Sequence, residues 1–148
     1  MLSEKWKIAY EQLRLSQWFF EQRRFGLAAI TIQECVTSYA VYTLMTKEER
    51  ERKKAGAFDQ KLRKNAIKRL EEISEKDSDC KELYDRFKEG KYLRNTMAHN
   101  LGKMVVENKK SSEILLSINA DRNQLKDYIE FVQKALNEKV LENKYMGS

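Results

Sequence analysis

The stretch FGLAAITIQECVTSYAVYTLM, Phe25–Met45, is the part of this chain whose reading decides the fold. Leu27, Ile30, Ile32, Val36, Tyr39, Val41, Tyr42 and Leu44 put apolar side chains on nearly every face of a helix. Such a helix must be surrounded, inside a bundle or at a subunit contact. Gln33, Glu34, Thr37 and Ser38 interrupt it too often for a membrane span, so no membrane partner is expected. Proline is absent and only five glycines occur in 148 residues, which argues against sandwiches and barrels, whose turns lean on both. The expected fold is all-α: an antiparallel helical bundle of four to five helices, in a single domain over residues 1–148.

Working outward, residues from Ser3 to about Arg23 carry Trp6, Ile8, Ala9, Leu13, Leu15, Phe19 and Phe20 mostly at helical spacing, with Ser3 as N-cap. Thr46, followed by Lys47, Glu48 and Glu49, reads as a further cap with acidic early positions. A helix restarts near Phe58, with the stripe Phe58, Leu62, Ala66, Ile67, Leu70 and Ile73, and ends around Ser74. Asp77 or Ser78 caps the next, whose stripe runs Cys80, Leu83, Tyr84, Phe87, Leu93, Met97 and Leu101; Gly102 marks its expected end. Residues 103–118 hold two short apolar runs and read as a small hairpin or a loop with a helical turn. A last helix starts at Asn119 or Asp121, with Leu125, Ile129, Val132, Leu136 and Val140 on one face.

Charge favours a polyanionic partner: 29 Lys and Arg stand against 23 Asp and Glu, a formal net charge of +6. Cys35 and Cys80 make no disulfide framework and no secretory leader pattern opens the chain, so a reducing cytoplasm is the expected location. One histidine and two cysteines leave no zinc site, and neither a metal nor another cofactor is expected. Glycines 26, 56, 90 and 102 stand too far apart for a phosphate-cradling loop. No Gly-x-Ser-x-Gly elbow is present, and both cysteines lie on apolar helical faces, where packing is their expected role.

What remains is Arg94-Asn95-Thr96-Met97-Ala98-His99. His99 is the sole imidazole, hence the sole histidine carrier of a proton near neutral pH. On a straight helix Arg94 and His99 differ by about 7.5 Å of rise and about 140° of rotation, whereas Asn95 and His99 share a face. Two such helices meeting across a two-fold axis bring two guanidinium and two imidazole groups into one cleft, which asks for a homodimer. The imidazole can then exchange a proton with an RNA 2′-hydroxyl or the leaving oxygen while the guanidinium stabilises the phosphoryl charge. The structural account of the same residues is that Arg94 caps or pairs within the bundle and His99 ends the helix. Lys91 and Lys103 flank the segment as candidate phosphate-binding residues.

The arrangement resembles the HEPN superfamily, helical domains whose ribonuclease members carry Arg, a polar residue and then His after four to six intervening positions. That pattern falls on Arg94, Asn95 and His99, and Arg23–Ile30 with Gln33-Glu34 looks like the second-helix region of CRISPR-associated HEPN ribonucleases. The resemblance spans roughly residues 3 to 101. It implies a metal-independent endoribonuclease of single-stranded RNA acting as a dimer in prokaryotic defence, CRISPR-associated or toxin-like. The alternative is a catalytically silent HEPN-like module that binds RNA or a protein partner. No nucleotide-sensing Rossmann-like domain accompanies the bundle, so any regulatory or sensor input would come from a separate protein. The position two after the histidine, where many toxin members carry Tyr, holds Leu101.

Overall fold

The computed structural model describes the backbone of residues 4–51, 59–106 and 111–142, and the side chains of residues 7–51, 59–95 and 120–142. Over these residues the chain is helical throughout its regular structure: α1 (Glu4–Glu21), α2 (Phe25–Leu44), α3 (Lys47–Glu51), α4 (Gln60–Ser74), α5 (Ser78–Val106) and α6 (Ser111–Asn137), with no strand among the described residues.

Of these, α2 is the central rod, touching α1, α4, α5 and α6. Its twelve buried residues include Ile32, Val36, Tyr39 and Val41, the surrounding that its apolar sequence demands. Small residues let α1 lie close against it: Ala9, Ala28 and Ala29 are buried, Ser16 Oγ donates to the Ala28 carbonyl at 2.9 Å, and Cys35 Sγ to the Ala9 carbonyl at 3.1 Å. The α1–α2 turn is closed by Arg23 in the left-handed region (φ 59°), with Arg24 N–H donating to Phe19 O at 2.8 Å. This is a Schellman stop built without glycine.

Thr46 caps α3 reciprocally: its Oγ1 accepts from Glu49 N–H at 3.2 Å, while Glu49 Oε1 accepts from Thr46 N–H at 2.9 Å. Glu49 is buried and also receives Arg69 of α4 at 2.5 Å, which fastens this short helix to its neighbour. Asp59 caps α4 through Lys61 N–H and Leu62 N–H, and Asp77 Oδ1 accepts from Cys80 N–H at 3.0 Å at the start of α5.

The expected end of the fifth helix and the expected hairpin are both corrected. Gly102 does not stop α5, which continues to Val106, and the last helix begins at Ser111 rather than at Asn119 or Asp121. Both apolar runs of the 103–118 segment thus lie on helical backbone, with residues 107–110 outside the described backbone. Their positions continue existing periods: Ile118, Leu125, Ile129, Val132 and Leu136 are separated by steps of three, four or seven.

These two long helices form an antiparallel hairpin. Arg86 lies over the Phe131 ring (4.7 Å to its centroid), and Cys80 Sγ donates to Val140 O at 3.8 Å. A buried junction ties the pair to α2: Gln33 Nε2 donates to Phe87 O at 3.0 Å and Tyr128 OH donates to Gln33 Oε1. Gly90 sits against the same junction, where a Cβ would come within 2.7 Å of Tyr128 Cε2. No helix among the described residues is long and apolar enough to cross a membrane.

Candidate functional site

All five residues singled out from the sequence, Lys91, Arg94, Asn95, His99 and Lys103, lie on the uninterrupted helix α5. Because the helix does not break at Gly102, the rotational arithmetic between them stands, and position 99 is an interior helical position rather than a terminus. The alternative in which His99 ends the helix is thereby excluded. The side chains of His99 and Lys103 lie outside the described residues.

Arg94 and Asn95 are both exposed. Arg94 forms no ion pair among the described residues. Its helix neighbours contrast with it. Arg86 pairs with Glu82 at 3.2 Å, Lys88 with Asp85 at 3.6 Å, and the Lys91 ammonium lies over the Phe87 ring, 5.3 Å from its centroid. Lys91 is exposed but partly engaged with an aromatic face, so its charge is available to phosphate from one side.

The level of this segment within the bundle follows from the packing of α5 on α2. Gln33 meets Phe87 and Gly90, while Cys80, at the start of α5, lies with Val140 beside the Leu141–Tyr39 contact of the far end of α2; the two helices are therefore antiparallel. Leu27 is six residues before Gln33, about 9 Å back along α2, which brings it level with residue 96 or so of α5. At this end Leu27 and Ile30 are exposed, both 44 %, and Leu15 and Trp18 of α1 are exposed beside the same hairpin end. The N-terminal turns of α2 thus expose Leu27 and Ile30 on one face while Ala28 and Ala29 are buried on another.

Among the described residues no group of three or more His, Cys, Asp or Glu could hold a metal ion. Both thiols are buried, and burial pushes that of Cys35 well above the ordinary thiol range, so it is a packed neutral group, as expected of its apolar face. A cleft of about 450 Å³ between α1 and α6, lined by Gln17, Phe20, Lys126 and Gln133 among others, includes none of Lys91, Arg94 and Asn95.

Tyr92 is not among the residues that the sequence singles out. It is 66 % exposed, and positions 92, 95 and 99 fall on one stripe of α5 at steps of three and four. The signal was present in the spacing, but an aromatic at helical spacing is read first as core. No family model, no curated protein and no solved structure matches this chain.

Proposed function

We propose that the chain is a metal-independent endoribonuclease whose site is built at the contact of two copies. The observation that carries this reading is an exposed Arg94, without an ion pair among the described residues, followed by exposed Asn95 on a continuous helix that also carries the chain's single histidine, one turn beyond Asn95. An arginine held only to stabilise the bundle would be covered or paired, as Arg69 is by Glu49. Chemically, His99 exchanges a proton with the 2′-hydroxyl or with the leaving 5′-oxygen, and Arg94 stabilises the extra negative charge on the phosphoryl group. Asn95 orients the imidazole or holds a phosphate oxygen, and Lys91 and Lys103 attract the backbone. The products are a 2′,3′-cyclic phosphate and a 5′-hydroxyl, and DNA resists because it has no 2′-hydroxyl.

The need for a second copy follows from the angle between Arg94 and His99, about 140° on one helix. The apolar surface of Leu15, Trp18, Leu27 and Ile30, near the level of the motif, supports self-association. A defence role, with a separate sensor protein, rests on the resemblance to HEPN ribonucleases alone.

The test is cleavage of single-stranded RNA in EDTA. Arg94→Ala and His99→Ala are each expected to slow it by at least about 100-fold, with a melting temperature equal to that of the parent. Cleavage untouched by either substitution removes the site. Binding of RNA without cleavage favours the silent module instead.

A further inference from the structure

Among the exposed large apolar side chains, Leu15, Trp18, Leu27 and Ile30 belong to the α1–α2 hairpin, and Tyr92 stands apart from them on α5 as the most exposed of the set, at 66 %. Other aromatic rings of this helix are occupied: Tyr84 by Lys88 at 4.8 Å and Phe87 by Lys91 at 5.3 Å. Tyr92 has no ring or cation partner among the described residues. Its position is three before Asn95 and seven before His99, so it begins the stripe that those two positions continue. The exposed residues around it are Lys88, Lys91 and Asn95, with Glu89 as the adjacent carboxylate, which accepts a hydrogen bond from Gln124 at 3.4 Å.

We infer that Tyr92 is the stacking platform for an unpaired nucleobase of the RNA, holding the nucleotide next to the linkage that is cut. The inference rests on the reading of the Arg94, Asn95 and His99 helix as an RNA site and adds to it the residue that grips the base. A flat aromatic face suits any base, because every base has a π-face, whereas bases inside a duplex are already stacked on one another and offer none. Lys88 and Lys91, exposed beside the ring though held over Tyr84 and Phe87, with Lys88 also paired to Asp85, favour a polyanion over an apolar protein surface. Tyr92 therefore selects single-stranded over double-stranded substrate without selecting sequence.

Binding can be measured apart from cleavage with a fully 2′-O-methylated oligoribonucleotide, which lacks the internal nucleophile, carrying 2-aminopurine at successive positions. The parent protein is expected to change the fluorescence of one position on binding. Tyr92→Ala should abolish that change and weaken binding by roughly 5- to 100-fold, and Tyr92→Phe should stay within about twofold of the parent. An abasic site at the responsive position should weaken the parent and leave Tyr92→Ala unaffected. In cleavage assays on unmodified RNA, Tyr92→Ala should raise KM more than it lowers kcat.

Equal affinity of the parent and Tyr92→Ala overturns the inference, as does indifference of the parent to the abasic site. A fall in solution mass on Tyr92→Ala does so too, because it makes the ring a protein contact. Failure of the two readings is distinguishable: cleavage that depends on Arg94 and His99 but not on Tyr92 removes only the platform, and Tyr92-dependent base stacking without cleavage removes only the ribonuclease. Absence of any binding by the parent overturns both.

Discussion

Lys139 ends α6 in the left-handed region (φ 54°), with Val140 N–H donating to Ala135 O at 3.1 Å and Lys139 N–H to Leu136 O at 3.2 Å. A side chain in that conformation costs about 1–2 kcal/mol that glycine does not incur. Lys139→Gly should therefore stabilise the protein by about 0.5–1 kcal/mol after glycine's larger unfolded-state entropy is subtracted, seen as an upward shift of the urea midpoint. Gly90 is the opposite case. Helix propensity alone favours alanine there by about 1 kcal/mol. The new Cβ, however, would stand 2.7 Å from Tyr128 Cε2 and closer to the Gln33 amide, both buried. Overpacking wins, and Gly90→Ala should destabilise by about 1–3 kcal/mol in the same measurement.

At the scale of elements, the attachment of α3 depends on one carboxylate. Burial alone would raise the Glu49 pKa, but hydrogen bonds from Arg69, from the Thr46 backbone and from Asn65 outweigh it and hold the group down at about 2. A carboxyl that ionises more easily in the folded chain than in the unfolded one adds stability above the unfolded value, near pH 4.5. That stability is lost as pH falls through the folded value. The contribution is on the order of 3 kcal/mol. Glu49→Gln should flatten the fall of stability between about pH 4.5 and 2 and leave the protein weaker at neutral pH, which denaturation series at each pH would show.

The ends of the elements were the least legible feature of the chain. Side-chain caps at Thr46, Asp59 and Asp77 are local chemistry: Thr46 and Asp77 were read from the sequence, and Asp59 opens the helix expected to restart near Phe58. The stops after α1 and α6 use Arg23 and Lys139 in a conformation that no residue type announced. Gly102 and Gly90 announced a freedom that α5 does not use. Glycine is compatible with a helix interior at a modest cost, so it permits a stop without requiring one.

For the whole molecule, the proposed site has a stoichiometric consequence. If Arg94 of one protomer works with His99 of its partner, then mixing the inactive variants Arg94→Ala and His99→Ala should restore part of the cleavage, because each mixed dimer keeps one guanidinium and one imidazole in a shared cleft. Light scattering should show two copies, and Trp18→Glu together with Leu27→Glu should lower both mass and activity by placing charge in the apolar surface. Activity retained by a strict monomer would mean that one chain's Arg94 and His99 suffice.

The sequence by itself determined that this chain is a helical bundle around Phe25–Met45 and that Arg94, Asn95 and His99 share one helix. Periodicity and composition are local properties and carry that much. Only the tertiary structure decided that α5 and α6 extend through the segment read as a hairpin. It also decided that Arg94 is exposed where Arg69 is covered and paired, and that Leu27, Ile30 and Tyr92 face outward although their residue types suit a core. Burial depends on which neighbours arrive, and that is set by how long each helix runs and at what level its partners end.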